Sequence, residues 1–323
     1  MPATTVRPES GEFQAQPTPA DSSNGARTVL VTGASGLVGQ ALLPRLEAAG
    51  YRTRAMRRGR CTGSDICWSP DTGVADKSQL EGAGAVVHLA GENIAAGRWN
   101  AAKKQRIRDS RVQGTQRLCE SLAALKSPPQ TLICASATGF YGNRGTEELT
   151  EDSPAGSGFL SDVCVEWERA ARPAVERGIR VVHLRIGVIL TPAGGALQKM
   201  LLPFKLGVGG VVGSGSQYWS WVSLDDVVGA IAHCLAHDEI SGPVNAVAPS
   251  PVTNREFTKA LGKALHRPTI FPMPAFAARL ALGEMSDALL MASTRVLPTK
   301  LEASGYHFRH ADLSSAFHDM LGK

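Results

Sequence analysis

At 323 residues, 43% of them hydrophobic and 20% charged, the chain has the make-up of an ordinary globular protein, with length for one large domain or two closely joined ones. The formal charge of +5 is mild, and the basic clusters at Arg52 to Arg60 and Lys103 to Arg111 carry no interleaved aromatics and no zinc-finger or RNA-recognition signature, so no nucleic-acid partner is expected. No apolar run reaches the roughly 18 residues that span a bilayer, so no membrane partner is expected either.

Residues 1–27 are rich in Pro, Ser, Thr, Ala and Gln and read as a disordered tail. They lack the apolar stretch of a signal peptide and carry Glu9, Glu12 and Asp21, which a transit peptide tends to avoid. At Thr28 the pattern changes. Thr28 to Thr32, TVLVT, is the β-branched run of a strand buried on both faces, and a glycine turn and a helix ending near Gly50 follow. Tyr51 to Met56 and Ala85 to Leu89 read as strands, Trp99 to Leu125 as a long helix and Thr131 to Ala135 as another strand. Leu160 to Glu176 reads as one helix and Ile179 to Ile186 as a strand. Strands alternating with helices, none joined by tight hairpins, give an α/β fold: a Rossmann-type doubly wound parallel sheet. Beyond Leu190 a glycine-rich stretch, a helix over Ser223 to His237 and a mostly helical C-terminal lobe are expected.

The six cysteines, at 61, 67, 119, 134, 164 and 234, form no C-x-x-C pair, and several sit in apolar runs. They point to reduced thiols and a cytoplasmic location, against a disulfide framework, and no metal site is expected.

The turn TGASGLVG places Gly33, Gly36 and Gly39 between a strand and a helix. Gly33 serves the tight turn, Gly36 the backbone's approach to a pyrophosphate and Gly39 close helix–strand packing, while the helix start supplies free N–H groups for phosphate. A dinucleotide is the expected cofactor. An NAD site would carry a carboxylate at the end of the second strand, but here stand Arg54, Arg57 and Arg58, with no carboxylate before Asp65. Guanidinium binds a 2′-phosphate by charge-assisted bonds, so NADP is favoured.

The same octapeptide resembles the T-G-x-x-G-x-x-G fingerprint of extended short-chain dehydrogenases, the class that includes sugar-nucleotide epimerases. HLAGENI with Arg98-Trp99, RDSRVQGT, SATGFYG, Trp167-Glu168, LRIGVIL, LPFKLGVGG with VGSGSQYWSWVSLDD, and VNAVAPSPVTNREF resemble one subfamily, short-chain dehydrogenase family 39U. RVLPTKLEASGYHF resembles that subfamily's own C-terminal domain. The resemblance divides the chain into a tail over 1–27, an NADP-binding core over 28–190, the rest of the extended fold with substrate-side loops over 191–271, and a family-specific domain over 272–323. It implies cofactor contacts at Gly33, Ser35, Gly36, Leu37, Val38 and Gly39, at Arg57 and Arg58, at Leu89, Ala90 and Gly91, and at Arg111 and Ile189.

Members of the class work with an asparagine, a serine, a tyrosine as acid/base and a lysine one turn after the tyrosine. None of Tyr51, Tyr141, Tyr218 and Tyr306 has such a lysine. Aligned on Glu168, Leu160 takes the tyrosine's place and Cys164 the lysine's; Arg111 takes the asparagine's, and only Ser136 is kept. The candidate catalytic pair is therefore Ser136 with Tyr141. Glu92, which reads more readily as a solvated loop carboxylate, and the Gln217 and Trp219 cluster, equally readable as a hydrophobic anchor for the second lobe, are candidate substrate contacts, and His88 reads as a core histidine. Two functions are compatible with these residues: an NADP-dependent oxidoreductase or epimerase on a small polar, sugar- or carbonyl-type substrate, and a non-catalytic NADP sensor acting on a protein partner.

Overall fold

The run TVLVT forms strand β1 (Thr28–Thr32), with Val29, Leu30 and Val31 fully buried because helices cover both faces of its sheet. The computed structural model describes residues 27–322 apart from 60, 62 and 64. The expected tail lies outside the described residues save Arg27, which belongs to the fold: its guanidinium donates to the Leu235 and Gly84 carbonyls and to Thr131 Oγ1.

After β1 come α1 (Leu37–Ala48), β2 (Arg52–Arg57), β3 (Ile66–Ser69), β4 (Gly73–Val74), β5 (Ala85–His88), α2 (Ala101–Ala123) and β6 (Thr131–Ala137). Then follow β7 (Glu148–Leu149), α3 (Phe159–Arg169), α4 (Arg172–Glu176), β8 (Arg180–Ile186), β9 (Val188–Leu190) and α5 (Gly195–Lys205). The rest runs β10 (Tyr218–Trp219), β11 (Trp221–Ser223), α6 (Leu224–Ala236), β12 (Gly242–Ala246), β13 (Val252–Thr253) and α7 (Asn254–Leu265). It closes with α8 (Ala275–Leu282), α9 (Glu284–Ser286), β14 (Arg295–Val296), α10 (Thr299–Ala303) and α11 (Leu313–Leu321).

The eight-stranded sheet has the order β12-β8-β6-β5-β1-β2-β3-β4. The chain leaves β1 to one side for β2 and returns to its other side at β5, both parallel to it. Such a reversal opens a crevice beyond the strands' C-terminal ends, where doubly wound sheets take their ligands.

Three expectations need correction. β3 and β4 form a tight antiparallel hairpin at the sheet edge, so not every connection is a crossover. The helix expected over Leu160 to Glu176 is two, α3 and α4, because Pro173 has no N–H to continue the α3 hydrogen-bond ladder and instead sits in the first turn of a new helix. Cys61 and Cys67 form a disulfide across the β2–β3 connection, whereas the other four cysteines are free and buried.

One side of the sheet packs on α1 and α6 through Leu42, Leu46, Ile231 and Leu235, the other on α2 and α4 through Leu118, Leu122 and Ala174. A separate cluster of Trp219, Trp221, Phe257 and Phe317 forms the core of the C-terminal lobe. The lobe is tied to the sheet layer at the start of α6. There the buried Asp226 carboxylate accepts from Ser223 Oγ and from the backbone N–H groups of Arg309 and His310.

Candidate active site

The glycine turn has the shape its sequence demands. Gly33 adopts a left-handed φ of +68°, and a Cβ there would stand 2.9 Å from the Leu89 carbonyl carbon. A Cβ at Gly39 would lie 2.4 Å from the Gly33 oxygen, so α1 sits against the turn at a distance only glycine allows. No side chain caps the first turn of α1. The first amides of α1 are therefore left without a side-chain acceptor, as an anion site at a helix start requires. Ser35 is exposed beside them, its carbonyl accepting from Gln40 Nε2 at 2.8 Å.

The second wall is the segment after β5. Thr32 Oγ1 accepts the N–H groups of Leu89 at 3.1 Å and Ala90 at 3.3 Å and lies 2.7 Å from His88 Nδ1. Those two acceptor bonds leave the Thr32 proton to His88 Nδ1, so Nε2 carries the imidazole hydrogen and donates to Thr115 Oγ1 at 3.0 Å. Burial holds the His88 pKa down to about 4, and the ring is a neutral spacer that fixes the Leu89–Gly91 backbone. Arg111 closes this wall. Its Cζ would lie 3.3 Å from a Cβ at Gly91, its Nη1 donates to the Glu92 and Ile107 carbonyls, and it lies over the Trp167 ring. Ile189 packs with the α1 side of the sheet, and a Cβ at Gly194, at the start of α5, would stand 2.9 Å from Leu37 Cδ1. Thus Gly33 to Gly39, Leu89 to Gly91, Arg111 and Ile189 are brought together along the strand ends.

Arg57 and Arg58 are both exposed at the end of β2. Arg57 is not free: its Nε meets Asp65 Oδ2 at 2.9 Å, because the β2–β3 connection folds that carboxylate back. Glu92 is likewise engaged. Its carboxylate accepts from Lys103 Nζ at 2.6 Å, a bond that holds its pKa below the usual range, helped by Arg106 and Arg58.

Ser136 and Tyr141 belong to one buried polar chain. Ser136 Oγ donates to Glu168 Oε1 at 2.7 Å. The same carboxylate is held by Arg185 Nε and Nη2 at 2.8 and 2.9 Å. Arg185 Nη1 donates to Tyr141 Oη, which donates in turn to Asn245 Oδ1 at 2.7 Å. Tyr141 is fully buried, which raises its phenol pKa, and its hydroxyl is occupied on both sides. It braces Arg185 and has no free edge for a ligand. Cys164, in the usual lysine's place, is a buried thiol pushed up to about 12, so it neither titrates nor attacks near neutral pH. Gln217 and Trp219 spend their donors on the lobe: Gln217 Nε2 donates to the Val212 and Leu290 carbonyls, and Trp219 Nε1 to Leu290. They anchor the lobe and offer no free donor to a substrate.

Arg185 was not singled out from sequence, nor was the carboxylate role of Glu168. The signal was present: a charged residue inside the run RVVHLRI must be paired when the strand is buried.

A family model described as the NAD dependent epimerase/dehydratase family matches residues 29–246, and one described as a domain of unknown function (DUF1731) matches 273–320. The Mycobacterium bovis epimerase family protein Mb2239 is 45% identical over 289 residues, covering 89% of this chain and 95% of that protein. The crystal structure of human epimerase family protein SDR39U1 with NADPH is 33% identical, with a TM-score of 0.84 over 92% of this chain and 99% of that one. A nucleoside-diphosphate sugar epimerase from Corynebacterium glutamicum is 37% identical, with a TM-score of 0.77 over 92% of this chain and 59% of its own. The family model spans more than half of the chain, and the chain belongs to the NAD dependent epimerase/dehydratase family.

Proposed function

We propose that the chain is an NADP-dependent oxidoreductase or epimerase for a small polar, sugar- or carbonyl-type substrate, in which Ser136 and Glu168 replace the tyrosine–lysine pair. The cofactor assignment is supported by the human relative crystallised with NADPH, and by a turn in which added Cβ atoms at Gly33 and Gly39 would collide with backbone. On this reading the α1 amides and Gly33 to Gly39 hold the pyrophosphate, Arg57 and Arg58 the 2′-phosphate, and Leu89, Ala90, Gly91, Arg111 and Ile189 line the remainder.

The observation that carries the catalytic reading is the 2.7 Å bond from Ser136 Oγ to Glu168. It points the serine proton at the carboxylate and leaves the Oγ lone pairs to accept a proton. In alcohol oxidation the substrate hydroxyl gives its proton to Ser136 Oγ while the serine proton passes to Glu168 Oε1. Reduction runs the same transfers backwards. Arg185 fixes the carboxylate through both oxygens, so the relay needs no reorientation. Bound NADP supplies hydride acceptance and donation at its nicotinamide.

The test is a carbonyl panel followed by NADPH absorbance, with Ser136→Ala as the control. Turnover that drops sharply in Ser136→Ala at unchanged NADPH affinity supports the relay; an unchanged rate removes it. The sensor reading has its own support in Leu160 and Cys164, which occupy the usual catalytic positions. It takes over if no panel member is turned over while NADPH alters affinity for a protein partner.

A further inference from the structure

Among the described residues nine large hydrophobic side chains stand exposed, and eight of them fall in two short segments, 202–208 and 270–280. The two are neighbours in space. Arg267 Nε donates to the Lys205 carbonyl, Met273 N–H to Val211 O, and Gly213 N–H to Met273 O, all within 2.9 Å. Leu202 and Leu206 are one turn apart at the end of α5, with Phe204 turned inward. Phe276 and Leu280 are one turn apart on α8, at 72% and 76% exposure, while Ala278 between them is fully buried. Ile270 and Phe271, at 71% and 58%, bridge the two helices.

The segments that build this surface carry no acidic residue. No Asp or Glu occurs between Glu176 and Asp225, nor between Glu256 and Glu284. Lys205, Lys263 and Arg267 are exposed there. The first acids beyond, Glu284 and Asp287, are paired with Lys104 and Arg279. A solvated face has no use for so many bare apolar side chains. A second copy docked by two-fold symmetry would set these cations against their own counterparts.

We propose that this face docks on an anionic lipid bilayer, with Phe276, Leu280, Leu206 and Phe271 in the headgroup–acyl boundary and Lys205, Lys263 and Arg267 among the lipid phosphates. The lack of a bilayer-spanning run does not bear on such docking, which needs no span. Lys199 donates to the Ala95 carbonyl and Arg98 to that of Leu280, so the face borders the 91–99 loop beside the candidate site.

The experiment is flotation of the full chain with phosphatidylcholine vesicles, with and without phosphatidylglycerol, alongside light scattering for oligomeric state. Binding is expected only to the anionic vesicles and is expected to fall as salt rises. Phe276→Ser with Leu280→Ser should weaken it about tenfold or more, at unchanged melting temperature, since both side chains already face water. Val175→Ser, on the one large hydrophobic outside the face that stands exposed among the described residues, should leave it unchanged. No binding to anionic vesicles, or binding that the double variant leaves intact, overturns the proposal. So does a wild-type dimer that the double variant converts to monomer without any vesicle binding.

Discussion

Arg185 holds Glu168 by two parallel hydrogen bonds, Nε to Oε1 at 2.8 Å and Nη2 to Oε2 at 2.9 Å, with both side chains almost entirely out of water. A bidentate pair of this kind is strong in geometry and costly to break from one side only. It lies directly behind Ser136, whose Oγ donates to Glu168 Oε1 at 2.7 Å, and on the proposed relay that carboxylate takes the serine proton.

If Glu168 accepts the serine proton, Glu168→Asp should retain part of the turnover and Glu168→Gln should lose about a hundredfold or more. Glu168→Gln also strands the buried Arg185, at about 3–5 kcal/mol of stability. Ser136→Ala carries no such cost, and it should show the same loss in turnover with NADPH affinity intact. Tyr141→Phe should instead cost about 1–3 kcal/mol, since Asn245 and Arg185 lose a buried partner, and should alter turnover little. Denaturant melts beside initial rates check both; a Tyr141→Phe protein of full stability and low turnover would return the tyrosine to the chemistry.

At the other end of the crevice, Arg57→Ala with Arg58→Ala should weaken NADPH binding by about 1.5–3 kcal/mol per lost charged bond and barely change NADH. The structure adds a second variant. Asp65 competes with a 2′-phosphate for the Arg57 guanidinium at 2.9 Å, so Asp65→Asn should tighten NADPH binding several-fold without helping NADH. Calorimetry with both cofactors decides; equal affinities for NADPH and NADH in the unchanged protein would remove the arginine argument.

The parallel sheet and the nucleotide turn were legible because their causes are local. TVLVT, the glycine spacing and the strand–helix alternation each lie within one short window. The break between α3 and α4 was equally local, and Pro173 gave the signal for it. What could not be read was pairing at a distance. Ser136 and Glu168 are 32 residues apart, Arg185 and Tyr141 44, Tyr141 and Asn245 104, and only the packed sheet brings them together. Asp65 misled for the opposite reason: it lies too far along the chain to count as the second-strand carboxylate, yet the hairpin edge returns it to Arg57. The disulfide between Cys61 and Cys67 follows from that same connection, not from any spacing motif.

His88 gives a pH test of the second wall. Its pKa in the fold is about 4, below the ordinary 6.5, because burial disfavours the charged ring. A depressed histidine contributes stability that is complete above 6.5 and is lost as pH falls toward about 4. That contribution is on the order of 3 kcal/mol. His233, also held near 4 by burial and by His237, adds in the same direction. His88→Gln should therefore make stability in urea less sensitive to acid across this window, with the His233 share remaining. An identical acid response in variant and wild type would show that His88 is not buried as the neutral ring.

The attachment of the C-terminal lobe titrates the other way. Burial by itself would raise the Asp226 carboxyl, but the nearby His310 imidazole and the hydrogen bonds from Ser223 and the Arg309 and His310 amides hold its pKa below the usual range. The His310 imidazole, its Nδ1 3.6 Å from Asp226 Oδ2, is drawn above its ordinary pKa by that carboxylate, against its own burial. A raised histidine contributes stability that is complete below the unfolded pKa and fades as pH rises through the folded one. Hence this contact should loosen on the alkaline side of the ordinary imidazole range, where His88 no longer matters. His310→Gln should remove that alkaline decline. Asp226→Ala should be far worse, because it leaves the Arg309 and His310 amides and the Ser223 hydroxyl without their acceptor, at about 1–3 kcal/mol each. Hydrogen exchange should then report the loss first in 306–321, while β1 to β6 keep their protection. Uniform loss of protection across the whole sheet would mean that the lobe and the sheet unfold as one unit, and that Asp226 is no separate clamp.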